Sequence, residues 1–172
     1  MNSRNPSLLR PIPRTINALL LSVCFLLVAA TGCPSFAQTK DDKRLKEVES
    51  ERSKLTKLTK AEDRAKSLLK IATITLTFAS DAIAAKDLPR LTSSVEEYEL
   101  TMTVALDTMM KSGLDAYRNP KGYQAIELAT RSHLRILEDF SRRLPLEERP
   151  PVDQVIERVS KIRDEIVRVL FS

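Results

Sequence analysis

Residues 59–86, TKAEDRAKSLLKIATITLTFASDAIAAK, decide the fold. Two patterns compete within them. Ala65, Leu69, Ala72, Leu76, Ala79 and Ile83 recur at spacings of 4 and 3, which lays an apolar seam along one side of a helix. Inside that stretch, Thr73-Ile74-Thr75-Leu76-Thr77-Phe78 alternates polar and apolar and is rich in β-branched residues, as a half-buried strand would be. Helical signals flank the run on both sides, and no partner strand is visible elsewhere in the chain. Thr59-Lys60-Ala61-Glu62 fits a capping box, in which Thr59 and Glu62 would satisfy each other's free backbone amides. The segment therefore reads as a helix from about 60 to 86.

Downstream, the same spacing recurs. Asp87-Leu88-Pro89 breaks the chain, with Asp87 placed to cap the next helix and Pro89 in its first turn. Leu91, Val95, Tyr98, Met102, Ala105 and Met109 form the second seam, which ends near Gly113. Leu114 to Arg118 reads as a connector. Asn119-Pro120 signals a third start, with Asn as cap and Pro at the first helical position. Ile126, His133, Leu137, Phe140 and Leu144 mark its buried side, and Pro145 and Pro150-Pro151 bound an irregular link. Val155, Val159, Ile162, Ile166 and Val169 give a last helix over about 151–170. Its outer face carries the acid-before-base pairs Glu157/Lys161 and Asp164/Arg168. Four amphipathic helices with short links predict an all-α, antiparallel up-down bundle over 59–172.

Upstream, residues 38–58 are charged, with Thr39 as a cap and only a thin stripe of Leu45, Val48, Leu55 and Leu58. They read as a charged helical stalk or linker projecting from the bundle, or as one rod continuous with the helix that follows.

The first 37 residues have the layout of a secretory signal peptide. Arg4, Arg10 and Arg14 form an acid-free head, and Ala18 to Ala30 is an apolar run of 13 residues. Ser35-Phe36-Ala37 places small residues at the −3 and −1 positions of a cut between Ala37 and Gln38. The run is shorter than the roughly 20 residues that span a bilayer, and no later segment reads as long and apolar enough to do so. Ala30-Thr31-Gly32-Cys33 loosely matches a bacterial lipobox, which would instead lipidate Cys33. The reading favours release after Ala37 over tethering through Cys33, and either cut suggests a bacterial envelope or secreted protein.

Export changes the composition. Cys24 and Cys33 both precede Ala37, so the cut leaves a cysteine-free domain that depends on its apolar core. The formal charge of +5 falls to +2 beyond residue 37. That near balance, together with export, argues against a nucleic-acid partner. Only Gly113 and Gly122 remain as glycines, which favours helices over sandwiches and barrels.

Candidate chemistry is sparse. His133 is the only histidine and falls on a seam. With Met102 and Met109 it forms the set considered for a metal, haem or small ligand in the bundle interior; buried packing is the plainer reading of all three, Met110 flanking them. Glu-x-x-His and Cys-x-x-Cys-His are absent. Ser67-Leu68-Leu69-Lys70 matches the Ser-x-x-Lys of penicillin-recognising enzymes without the companion motifs, and reads as chance. Glu96, Glu97 and Glu99 cluster in a stretch of acidic excess, while 40–80 is basic. The two stretches would pair within the bundle, or the basic one would approach anionic lipid. No catalytic residue and no cofactor emerges. The pattern points to an exported, non-enzymatic bundle that binds a protein partner or scaffolds at the envelope. A small-ligand or metal sensor and a Cys33-tethered lipoprotein are the alternatives.

Overall fold

A computed structural model describes the backbone over residues 36–171 and side chains from Lys40. The signal-peptide reading and Cys33 lie outside the described residues, while Ala37 and Gln38 fall in the first turn of the first helix. The elements are α1 (Phe36–Leu55), α2 (Ala61–Ala85), α3 (Leu88–Met110), α4 (Lys121–Arg143), a short 3-10 turn (Leu146–Glu148) and α5 (Pro150–Phe171). No strand occurs among the described residues.

Thr73–Phe78 is helical. The hydroxyls of Thr73, Thr75 and Thr77 donate to the carbonyls of Leu69 (2.9 Å), Ile71 (3.0 Å) and Ile74 (2.7 Å), so their polarity is absorbed inside the helix. The strand-like alternation has a packing cause, because α2 is buried on two faces. Ala65, Ala72, Leu76, Ala79 and Ala82 enter the main core. Ile71 and Ile74, with half-buried Phe78, meet Val48 and Leu55 of α1. By length and composition α2 is also apolar enough to cross a membrane, contrary to the sequence expectation. Its core-facing residues here are covered by α3 and α4, and Ile71 and Ile74 by α1.

Around the bundle, α2 packs on α3, α3 on α5, α5 on α4, and α4 on α2. The tight links at 86–87 and 144–149 make antiparallel neighbours of α2/α3 and α4/α5. The longer connector 111–120 crosses the bundle diagonal, so α4 runs beside and parallel to α2. Gly122 at the start of α4 accordingly lies close to Glu62 at the start of α2. The core holds every predicted seam residue of α3, and Ile126, Leu137, Val155, Val159 and Ile166 from the last two helices.

Within the 38–58 stretch the helix runs to Leu55, from a start at Phe36 rather than at a Thr39 cap, and it does not project as a stalk. It lies antiparallel along α2 and parallel to α3, and the contact is made through long side chains. Arg44 pairs with Asp81, Arg52 with Glu97, and Asp41 with Arg90 at 2.7 Å. Arg44 and Arg90 also stack over the Phe78 ring at 5.9 and 6.0 Å from its centroid. Glu51 is buried, accepting from Ser67 Oγ (2.7 Å), Lys70 Nζ (2.9 Å) and Lys54 Nζ (2.8 Å). These bonds hold its carboxyl down at about 2, against an ordinary 4.5.

Nor do α1 and α2 form one rod. The chain turns over 56–60, and Arg64 Nη1 donates to the carbonyls of Leu55 (3.1 Å) and Leu58 (3.4 Å), satisfying acceptors that the end of α1 leaves free. The Thr59–Glu62 capping box is not formed; Lys60 is the N-cap and makes no side-chain cap bond. Asn119 does not cap α4 either. Asp115 organises that turn by accepting from the amides of Tyr117 (2.8 Å) and Arg118 (3.2 Å). Asp87 caps α3 as expected, accepting from Arg90 N at 3.0 Å.

Glu51→Ala leaves Ser67 and Lys70 without their shared acceptor. Amide hydrogen exchange over 40–55 then accelerates, while protection at Val95, Leu137 and Val159 stays at the wild-type level. Acid acts on the same contact. With its folded value near 2, the Glu51 contribution is complete above 4.5 and is lost as pH falls from 4.5 towards 2. An exchange series across that window shows α1 releasing first in the wild type, with a weaker pH response in Glu51→Ala.

Candidate functional site

His133 lies at the middle of α4, facing α2 and α3, and is buried. Its Nε2 is 3.3 Å from Thr73 Oγ1. The Thr73 proton goes to the Leu69 carbonyl, so the hydroxyl accepts from Nε2–H and leaves Nδ1 as the unprotonated nitrogen. The Tyr98 ring stands edge-on to the imidazole, centroids 5.4 Å apart at 72°. His133 Nδ1 and Tyr98 OH are both buried without a hydrogen-bond partner among the described residues. Burial pushes the imidazole below its usual 6.5 and the Tyr98 phenol well above its usual 10.

Of the metal and ligand candidates, Met109 lies away from His133, at the start of α4. Met109 packs against Gly122, where an added Cβ would press into its thioether, and its carbonyl accepts from Tyr123 OH at 3.1 Å. Gly122 and His133 are 11 residues apart on α4, roughly 16 Å along the axis. Met102 is fully buried one turn beyond Tyr98. No group of three or more His, Cys, Asp or Glu is placed to hold a metal among the described residues.

The other motifs are absorbed by packing. Ser67 and Lys70, the Ser-x-x-Lys pair, both bind Glu51. In the acidic cluster, Glu97 pairs with Arg52 of α1 and Glu99 with Arg158 of α5 at 2.6 Å; Glu96 stays exposed. The basic and acidic stretches thus pair within the molecule.

One concave surface between the last two helices was missed from sequence. It is a groove of about 650 Å³ between α4 and α5. One wall is Gln124, Glu127, Leu128 and Arg131, and the other is Arg163, Val167, Leu170 and Phe171. Both walls are single helical stripes. Ala116, Tyr117 and Pro120 of the connector close one end. Tyr117 is 90% exposed, Phe171 84% and Leu128 60%. At the other end Glu127 Oε1 accepts from Arg131 Nε (3.1 Å) and Nη2 (2.7 Å), and Arg163 Nε stands 3.7 Å from the same oxygen. Arg163 Nε is buried without a hydrogen bond among the described residues.

No protein-family model, curated protein or solved structure matches this chain. The functional reading therefore rests on the residues themselves. The only sequence signal for the groove was its mixed composition. Leu128, Val167 and Phe171 lie off the core seams, and Arg131 and Arg163 punctuate them.

Tyr98→Phe removes a desolvated hydroxyl and leaves stability unchanged or raised by up to about 1 kcal/mol in chemical denaturation. His133 supplies a pH dependence. Its folded value is depressed, so its contribution is complete above 6.5 and is lost as pH falls below 6.5. His133→Gln flattens the denaturation midpoint just below that value.

Proposed function

We propose that this chain is an exported, non-enzymatic binding module of the bacterial cell envelope, which engages a protein partner through the α4–α5 groove. The observation that carries the reading is the groove's rim. Tyr117, Leu128 and Phe171 stand exposed around one concave surface that also holds two arginines. Aromatic and arginine side chains dominate the energetics of protein interfaces, and clustered exposed apolar groups mark binding surfaces on soluble domains.

The export part of the reading is supported by the basic head, the apolar run and the Ser35-Phe36-Ala37 cut. A cut there leaves in place Val48, Glu51 and Leu55, the residues through which α1 meets α2. Tethering through Cys33 is the competing form of the same reading.

Intact mass of the protein recovered from a bacterial host is expected to correspond to a start at Gln38; a diacylated start at Cys33 establishes the tethered form, and an uncut chain refutes export by this route. Cross-linking in the envelope is expected to recover a heterologous protein adduct that the Tyr117→Ala/Phe171→Ala double variant loses. Equal recovery from both proteins removes the groove from the reading, and monomer alone removes the binding role.

A further inference from the structure

Resting on that reading, we infer that the α4–α5 groove takes the carboxy-terminal end of its partner. The terminal carboxylate is held by Arg163 and Arg131, and the last apolar side chains lie towards Leu128 and Phe171. The groove has a direction. The short Glu127–Arg163 separation sets the register of the two antiparallel helices. From that point towards the Tyr117 stop the lining is Gln124, Val167, Leu170 and Phe171, mostly apolar; Arg131 lies the other way, with Leu128 beside the pair.

The charge of the cationic end identifies the head group. Two guanidinium groups share one carboxylate, which leaves a single positive charge. Arg131 spends two donors on one oxygen of Glu127, whereas Arg163 Nε makes no hydrogen bond among the described residues. That N–H is buried against Glu127, but the Arg163 side chain as a whole is part-exposed in the groove, and an incoming carboxylate can pair with its outer nitrogens while restoring neutrality. The planar guanidinium fork matches a carboxylate's two oxygens. A phosphate monoester brings about −1.5 to −2 charges and overshoots the balance.

The length of the groove bounds the peptide. From Gln124 to Arg131, cationic end included, it runs roughly 10 Å at the helical rise of 1.5 Å per residue. That is the reach of about three extended residues at 3.3 Å each. The groove is open along its length, and Tyr117 and Phe171 are mostly exposed on its rim. Small apolar ligands are normally enclosed by their pockets. An open cleft with an aromatic rim instead suits a chain end whose parent protein covers the rim.

The test uses the full chain, labelled with nitrogen-15, and acetyl-trileucine as the free acid or the carboxamide. The free acid is expected to shift the amides of Leu128, Val167 and Leu170, and to bind at least roughly tenfold more tightly than the carboxamide. Arg163→Gln is expected to remove that preference by weakening the free acid alone. Arg163→Lys, which keeps charge without the fork, falls between. If Arg163→Gln does not fold, the acid-against-amide comparison in the wild type decides alone. Equal binding of acid and amide overturns the terminus assignment and leaves the groove as an apolar docking surface. Absence of groove shifts with either peptide overturns the assignment too, and the cross-linking of the Tyr117/Phe171 variant then decides whether the wider reading survives. Decanoate binding through Arg163 without peptide binding overturns it in favour of an acyl carboxylate.

Discussion

Helix α2 has apolar surface on two faces and must be covered on both, and the rest of the molecule is arranged around that constraint. Its alanine face, from Ala65 to Ala82, admits α3 and α4 into the main core. Its other face presents Ile71, Ile74 and Phe78, which would face water in a four-helix bundle. Burying a side chain of that size is worth about 1.5–3 kcal/mol, so a fifth element that covers the face is held there. Helix α1 does so with Val48 and Leu55, and its charges do the rest. The buried Glu51 carboxylate is costly to desolvate, and three donors offset that cost. Lys54 belongs to α1 itself, so the docking register is the one that brings Ser67 and Lys70 of α2 to Glu51.

The same logic explains the charge segregation. Acidic α3 lies between α1 and α5, and both reach it with arginine, through Arg52 to Glu97 and Arg158 to Glu99. Exposed ion pairs of this kind add little stability individually. Their value lies in choosing which helix neighbours which, and that choice is not made by seams of nearly interchangeable Val, Ile and Leu. The consequence for α1 is that Arg44 and Arg52, which would be free on a projecting stalk, are engaged by Asp81 and Glu97.

Helix positions and the buried faces of α3, α4 and α5 were legible because the 4–3 spacing maps directly onto one side of a helix. Leu91 to Met109 is the clearest case, with every member buried. The docking of α1 was not legible, since its second buried position is a glutamate and its first predicted contact, Leu45, is more than half exposed. A periodicity reading looks for apolar residues and passes over an acid whose partners lie 16 and 19 positions away. Those partners were on view as Ser67 and Lys70, in a motif set aside as coincidence. Asn119 failed as a cap because Asp115, four residues earlier, already organises the turn. The groove was invisible for a different reason. It depends on which helices are neighbours, and that is set by the connector at 111–120, whose length alone does not reveal a diagonal crossing.

That crossing has a further effect. It carries Tyr117 to the open end of the α4–α5 groove and so closes a cleft that two adjacent helices would otherwise leave running to the bundle's edge. On both helices the groove stripe is distinct from the core seam. Ile126 and Leu137 of α4 and Val159 and Ile166 of α5 are buried, whereas Leu128, Arg131 and Phe171 are exposed, with Arg163 and Val167 partly so. Side chains on the groove stripe can change with little loss of core packing, because surface changes away from buried contacts shift stability by only about 0.5 kcal/mol. Glu127 is the exception that joins the two sets. It is buried, yet its Oε1 faces the groove and sets the positions of both arginines. The cationic end of the groove is therefore tied to the bundle through one carboxylate, while the other end depends on the path of the connector.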